Sequence, residues 1–145
     1  MTMFKFLLPV SFLLLSIGPA LADQGGLTFD NAWTPEAPPG RMMAGFMEIH
    51  NTGPDTVAIV DGRANGFGHV ELHNTTMEDG VMRMRRIEAL SIAPGQTLVL
   101  EPGGLHLMLI EPQRSFRDGD QIELVLTDSD GREYSLSSEV RPRRR

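Results

Sequence analysis

The side chains in this chain best suited to chemistry are imidazoles and thioethers, held in two short segments. The first is Gly103-Gly104-Leu105-His106-Leu107-Met108-Leu109-Ile110. Successive side chains of a strand point to opposite faces. Leu105, Leu107 and Leu109 therefore share a core face, and His106 and Met108 project together from the other. The second segment runs from His69-Val70-Glu71-Leu72-His73 to Met84. Val70 and Leu72 mark its inward face, which places Glu71 and His73 on the opposite one. A two-residue hairpin turn at Asp79-Gly80 pairs Glu78 with Val81, Met77 with Met82, and Thr75 with Met84. His73, Met77, Met82 and Met84 then fall on one face. Met84 lies diagonal to His73, about 7–8 Å away and within reach of a long side chain. The opposite face of the return strand reads Val81, Arg83, Arg85, a poor core pattern that predicts an edge strand or a slipped register. Thioethers are soft and neutral donors that suit Cu(I) and serve Zn(II) or Mg(II) poorly. Each imidazole must be neutral to bind, so acidification should weaken such a site.

The composition removes several other chemistries. There is no cysteine. Blue-copper centres with a thiolate, covalent c-type haem and thiol–disulfide exchange are thereby excluded. Disulfides are excluded too, so burial alone must hold the fold together. Neither G-x-S-x-G, H-E-x-x-H nor a glycine-rich phosphate loop occurs, and the chain reads as a binding protein rather than an enzyme. Asp118 and Asp120 sit in a turn-like RDGD stretch and read as solvated loop charges. A formal net charge of −6 without a broad basic face argues against nucleic acid as a partner.

The elements that must position these residues are short strands. Leu27 to Trp33, Gly45 to His50, Val57 to Val60, Val70 to His73, Val81 to Met84, Thr97 to Leu100, Leu105 to Ile110, Gln121 to Leu126 and Glu133 to Leu136 have strand character. Gly, Pro, Asn or Asp separates them. No helical periodicity is sustained, and the pattern predicts an all-β single domain, a β-sandwich or small Greek-key barrel. Ahead of it, Lys5 and the apolar run Phe6 to Ile17 precede Ala20-Leu21-Ala22, a small-x-small sequence. This reads as a signal peptide cleaved after Ala22. The run is shorter than the roughly 20 residues a membrane span needs. The expected layout is residues 1–22 as leader, 23–140 as an exported domain with no membrane span, and 141–145 as a basic tail.

Together the two segments read His-x10-Met-x21-His-x-Met, from His73 through Met84 and His106 to Met108. In this spacing the chain resembles the periplasmic copper chaperones called PCuAC. Asp30-Asn31-Ala32-Trp33, Val70-Glu71-Leu72-His73, Met77-Glu78-Asp79-Gly80-Val81-Met82 and Pro102-Gly103-Gly104-Leu105-His106-Leu107-Met108 carry the resemblance across the domain. It implies a cupredoxin-like β-barrel in the periplasm. It further implies one Cu(I) per chain, bound by His73, Met84, His106 and Met108. It also implies a role in supplying the copper site of cytochrome c oxidase alongside Sco-type proteins. The His- and Met-rich C-terminal extension of some members has no counterpart in Arg-Pro-Arg-Arg-Arg.

The remaining residues have plainer readings. Met42, Met43 and Met47 read as core or loop residues, His50 and His69 as structural, and Trp33 as a core aromatic or a cover over the site. Met77 and Met82 read as packing beside the site, with support of the ligands or a place at its entry the alternatives. Glu71 is placed to orient an imidazole N–H. Two other functions share the fold: copper buffering without a dedicated recipient, and a metal-free immunoglobulin-like interaction module.

Overall fold

The structure is a computed structural model that describes residues 26–143. The expected leader (residues 1–22) lies outside the described residues, as do Arg144 and Arg145. Ten strands and no helix are found among them: β1 (Leu27–Pro35), β2 (Met43–Asn51), β3 (Val57–Ala64), β4 (Phe67–Glu78), β5 (Val81–Arg86), β6 (Leu90–Ile92), β7 (Thr97–Leu100), β8 (Leu105–Pro112), β9 (Gln121–Asp128) and β10 (Glu133–Arg141). The all-β expectation holds. The strand it lacked, β6, has three residues, too few for alternation to be seen; only its buried Leu90 and Ile92 reveal its role. Arg141, expected as the start of the basic tail, is the last residue of β10.

The strands hydrogen-bond in the order β5-β4-β8-β2-β1-β10-β9-β3-β6, with β7 beside β2. Only β1 and β10 pair in parallel. The sheet wraps round one core, in which Ile49, Ile59, Leu107, Leu109, Leu124, Leu126 and Tyr134 are fully buried. Each such side chain contributes about 1.5–3 kcal/mol by leaving water. Gly62 lets β3 approach β4 and β9: a Cβ there would stand 3.1 Å from Leu126 Cδ2 and 3.3 Å from Val70 Cγ1.

Two local features set the faces. At the β4–β5 hairpin, Asp79 and Gly80 have φ of 51° and 77°. Two successive positive φ values belong to the type I′ turn, whose twist matches a two-residue hairpin. The register is the expected one, Glu78 opposite Val81, Met77 opposite Met82 and Thr75 opposite Met84. The second feature is a bulge in β1. Leu27 to Asp30 pair with Asn51 to Glu48, then the register shifts and Trp33 pairs with Phe46. Asn31 lies in the shifted segment with φ 51°, a conformation asparagine tolerates better than most residues. In unbroken register Trp33 would stand opposite Gly45, on the core face against Leu107. The extra residue turns it to the other side. Trp33 is thus not the core aromatic that alternation alone suggests.

Candidate metal centre

The outer face of the β4–β8–β2 sheet collects three of the four expected residues, His73, His106 and Met108, while Met84 lies on β5. His73 stands directly opposite His106, and Met108 stands between Glu71 on β4 and Ala44 on β2. The inner faces of the same strands supply Val70, Leu72, Leu107 and Leu109 to the core. Alternation thus divides β8 as expected. Met108 is only 7% exposed and His106 3%, yet neither belongs to the core cluster. They are buried on the far side of the sheet. Phe46 lies tilted against His106 at a ring separation of 6.3 Å, and Trp33 packs tilted against Phe46 at 5.0 Å. Phe46 carried no signal in the sequence; its place follows only from the pairing of β2 with β8.

The hydrogen bonds assign a tautomer to each imidazole. His106 Nδ1 lies 3.0 Å from the carbonyl oxygen of Gly104. A carbonyl only accepts, so Nδ1 carries the proton and Nε2 a lone pair. His73 Nε2 lies 2.7 Å from a Glu71 carboxylate oxygen. There Nε2–H donates, and Nδ1 keeps the lone pair. Both lone-pair nitrogens, His73 Nδ1 and His106 Nε2, are buried and without a hydrogen-bond partner. The rings are 5.7 Å apart. An unsatisfied buried polar atom costs about 1–3 kcal/mol, so a pair of them on adjacent strands is the signature of donors awaiting an acceptor. The hydrogen bond from His73 holds the Glu71 carboxyl below the usual carboxylate range, against the opposing effect of burial. Arg86, 3.7 Å from that carboxylate, adds to the same shift.

The sulfurs flank this pair differently. Met84 and Met108 line one cavity of about 850 Å³ together with Trp33, Met42, Ala44 and Phe46. Met108 is buried, whereas Met84, on the edge strand β5, is 61% exposed. Every residue of β5 is exposed, which settles the edge-strand expectation. Met77 and Met82 are also exposed and lie outside the core cluster. Met43 and Met47 are core, while Met42 stands exposed at the cavity. His50 is engaged by Thr97 at 2.7 Å, and His69 lies near Glu71 and Glu111. Among the described residues no group of three His, Asp or Glu side chains converges as a metal site. The thioethers of Met84 and Met108 are the candidate further donors to an ion held by the two imidazoles.

Residues 27–140 match the model of the LpqE-like lipoprotein family. The chain belongs to that family. A relative from Leifsonia xyli subsp. xyli, Lxx21020, which carries a lipoprotein name, is 33% identical over 107 residues. That match takes in 73% of this chain and 64% of the relative, so the chain spans just under two thirds of the relative's length. Among solved structures, the copper-bound PCuAC domain from PmoF2 superposes with a TM-score of 0.69 at 18% identity, covering 82% of this chain and 95% of that domain. Cu(I)-loaded DR1885 from Deinococcus radiodurans gives 0.64 at 26% identity, covering 80% of this chain and 78% of that one. The LpqE-like chain thus has the fold of PCuAC domains, as its sequence resemblance implied.

Proposed function

We propose that this chain is an exported carrier that binds one Cu(I) through His73 Nδ1, His106 Nε2, Met84 and Met108. The observation that carries the reading is the pair of buried imidazole nitrogens without a partner, on residues that stand opposite each other across β4 and β8. Two further features support it. Met84 and Met108 line one cavity, and similar structures are described as copper-bound and Cu(I)-loaded. A neutral nitrogen and thioether set favours the monovalent ion, since soft donors select Cu(I). It lacks a thiolate, so a partner with cysteine ligands can draw the ion away. Three of the donors sit on the inner strands β4 and β8, while Met84 stands in solvent on the edge. Met84 is therefore the donor a recipient can displace first. The lipoprotein character of the family supports export, and the resemblance of the motif supports delivery to the copper site of cytochrome c oxidase with Sco-type proteins.

The test is an anaerobic Cu(I) titration against a competing chelator, with X-ray absorption on the loaded chain. One copper per chain, with two nitrogen and two sulfur neighbours, is expected. His106→Ala and Met108→Leu should each abolish tight binding and His50→Ala should leave it intact. Stoichiometry well below one, or a His106→Ala variant that binds like the parent, would overturn the proposal.

A further inference from the structure

The outer end of the β4–β5 hairpin carries chemistry that the four donors leave unused. Met77 and Met82 stand directly opposite each other across the two strands, where facing Cβ atoms lie about 4.5–5.5 Å apart. They are 68% and 60% exposed. Alternation puts them on the same face as Thr75, Met84 and His73. The opposite face carries Glu78, Arg83 and Arg85, joined by ion pairs of 3.2 and 3.3 Å. Toward its turn the hairpin is thus sorted by chemistry, with Glu78, Arg83 and Arg85 on one side and three thioethers on the other, where Arg86 follows only at the base, opposite His73. Nothing in the packing explains that sorting, because β5 gives no residue to the core. Large apolar side chains left in water on a strand of this kind add no burial energy.

We propose that Met77 and Met82 form a thioether pair that captures Cu(I) from solution and passes it to Met84. This rests on the reading of Met84 as a copper donor. Met84 follows Met82 by two residues, about 7 Å along the strand, and lines the same cavity as Met108. The side chains between the pair and Met84 are uncharged, so no anion competes for the ion on the way. Each step exchanges one neutral thioether for another on the same monovalent ion. No electron or proton moves. Two donors hold the ion more weakly than four, so the ion passes inward. The type I′ turn fixes the register that keeps the two sulfurs together.

The experiment uses the full chain labelled with [methyl-13C]methionine and titrated anaerobically with Cu(I), together with stopped-flow uptake from a bulky Cu(I)–chelator complex. In a His106→Ala/Met108→Leu variant, Cu(I) should still shift the Met77 and Met82 methyl resonances, with weak affinity. In a Met77→Leu/Met82→Leu variant, equilibrium affinity should change by less than about threefold while uptake slows by about tenfold. Leucine conserves the exposed apolar volume, so folding is not at issue. Unchanged uptake, or Met77 and Met82 methyls that ignore Cu(I) while Met84 and Met108 respond, would overturn the inference and leave the copper site standing. Met84 and Met108 methyls that do not respond would instead overturn the copper site itself.

Discussion

The two histidines use different ring nitrogens because different neighbours hold their protons. Gly104 offers a backbone carbonyl to His106, so that orientation survives any side-chain change nearby. His73 depends on one carboxylate, Glu71, two residues away on its own strand face. Removing such a support typically weakens metal affinity 10–100-fold. Glu71→Ala is therefore expected to lower Cu(I) affinity by about tenfold or more with little change in melting temperature. Glu71→Gln should restore most of it, because the amide oxygen still accepts from Nε2–H. Equal losses in both variants, measured by chelator competition, would show that the charge matters rather than the hydrogen bond.

The elements contribute one face each, and small backbone irregularities decide which. Deep in the sheet, alternation along β4 and β8 separates leucines from donors without any special geometry. At β1 alternation fails, since the shift after Asp30 turns Trp33 from the core to the outer face. Trp33 is the single tryptophan in the chain, and it lines the same cavity as Met84 and Met108. Its fluorescence should therefore change on adding one equivalent of Cu(I) to the parent chain. A Met108→Leu/Met84→Leu variant should show no such change. A spectrum that follows copper equally in both would place the ion away from Trp33. In Asp30-Asn31-Ala32-Trp33 only Asn31, which tolerates the positive φ, hints at the bulge; the shift itself is visible only in the pairing with β2.

Across the whole molecule, stability rests on burial and on a few buried hydrogen bonds, with no disulfide to limit the unfolded chain. Asp128 is the clearest of these. Its carboxylate accepts the N–H groups of Asp130 and Arg132 at 3.0 and 2.9 Å and the hydroxyl of the buried Tyr134 at 2.9 Å. Burial alone would push its carboxyl up, but these donors outweigh it and hold the group below the usual carboxylate range. A depressed carboxylate adds stability that is full above its unfolded value, near 3.9, and is lost as pH falls through the lower folded value. Acid unfolding should thus steepen below about pH 4. Asp128→Ala should destabilise by about 1–3 kcal/mol at neutral pH, since the Tyr134 hydroxyl loses its acceptor, and should flatten the acid dependence. Denaturant melts at pH 7 and pH 3.5 test both. A variant with the parent's acid profile would remove Asp128 from the account.

The amino-acid sequence by itself determined the all-β class, the Asp79-Gly80 hairpin with its register, and the division of His106 and Met108 from the leucines. These follow from the pleat and the turn, which act over a few residues. Tertiary structure alone decided that β4 lies beside β8 so that His73 meets His106, that Phe46 packs against His106 with Trp33 against Phe46, and that Met77 and Met82 stand in water. Neighbours across a sheet are chosen by how the whole set of faces can be buried at once, and no local spacing encodes that choice.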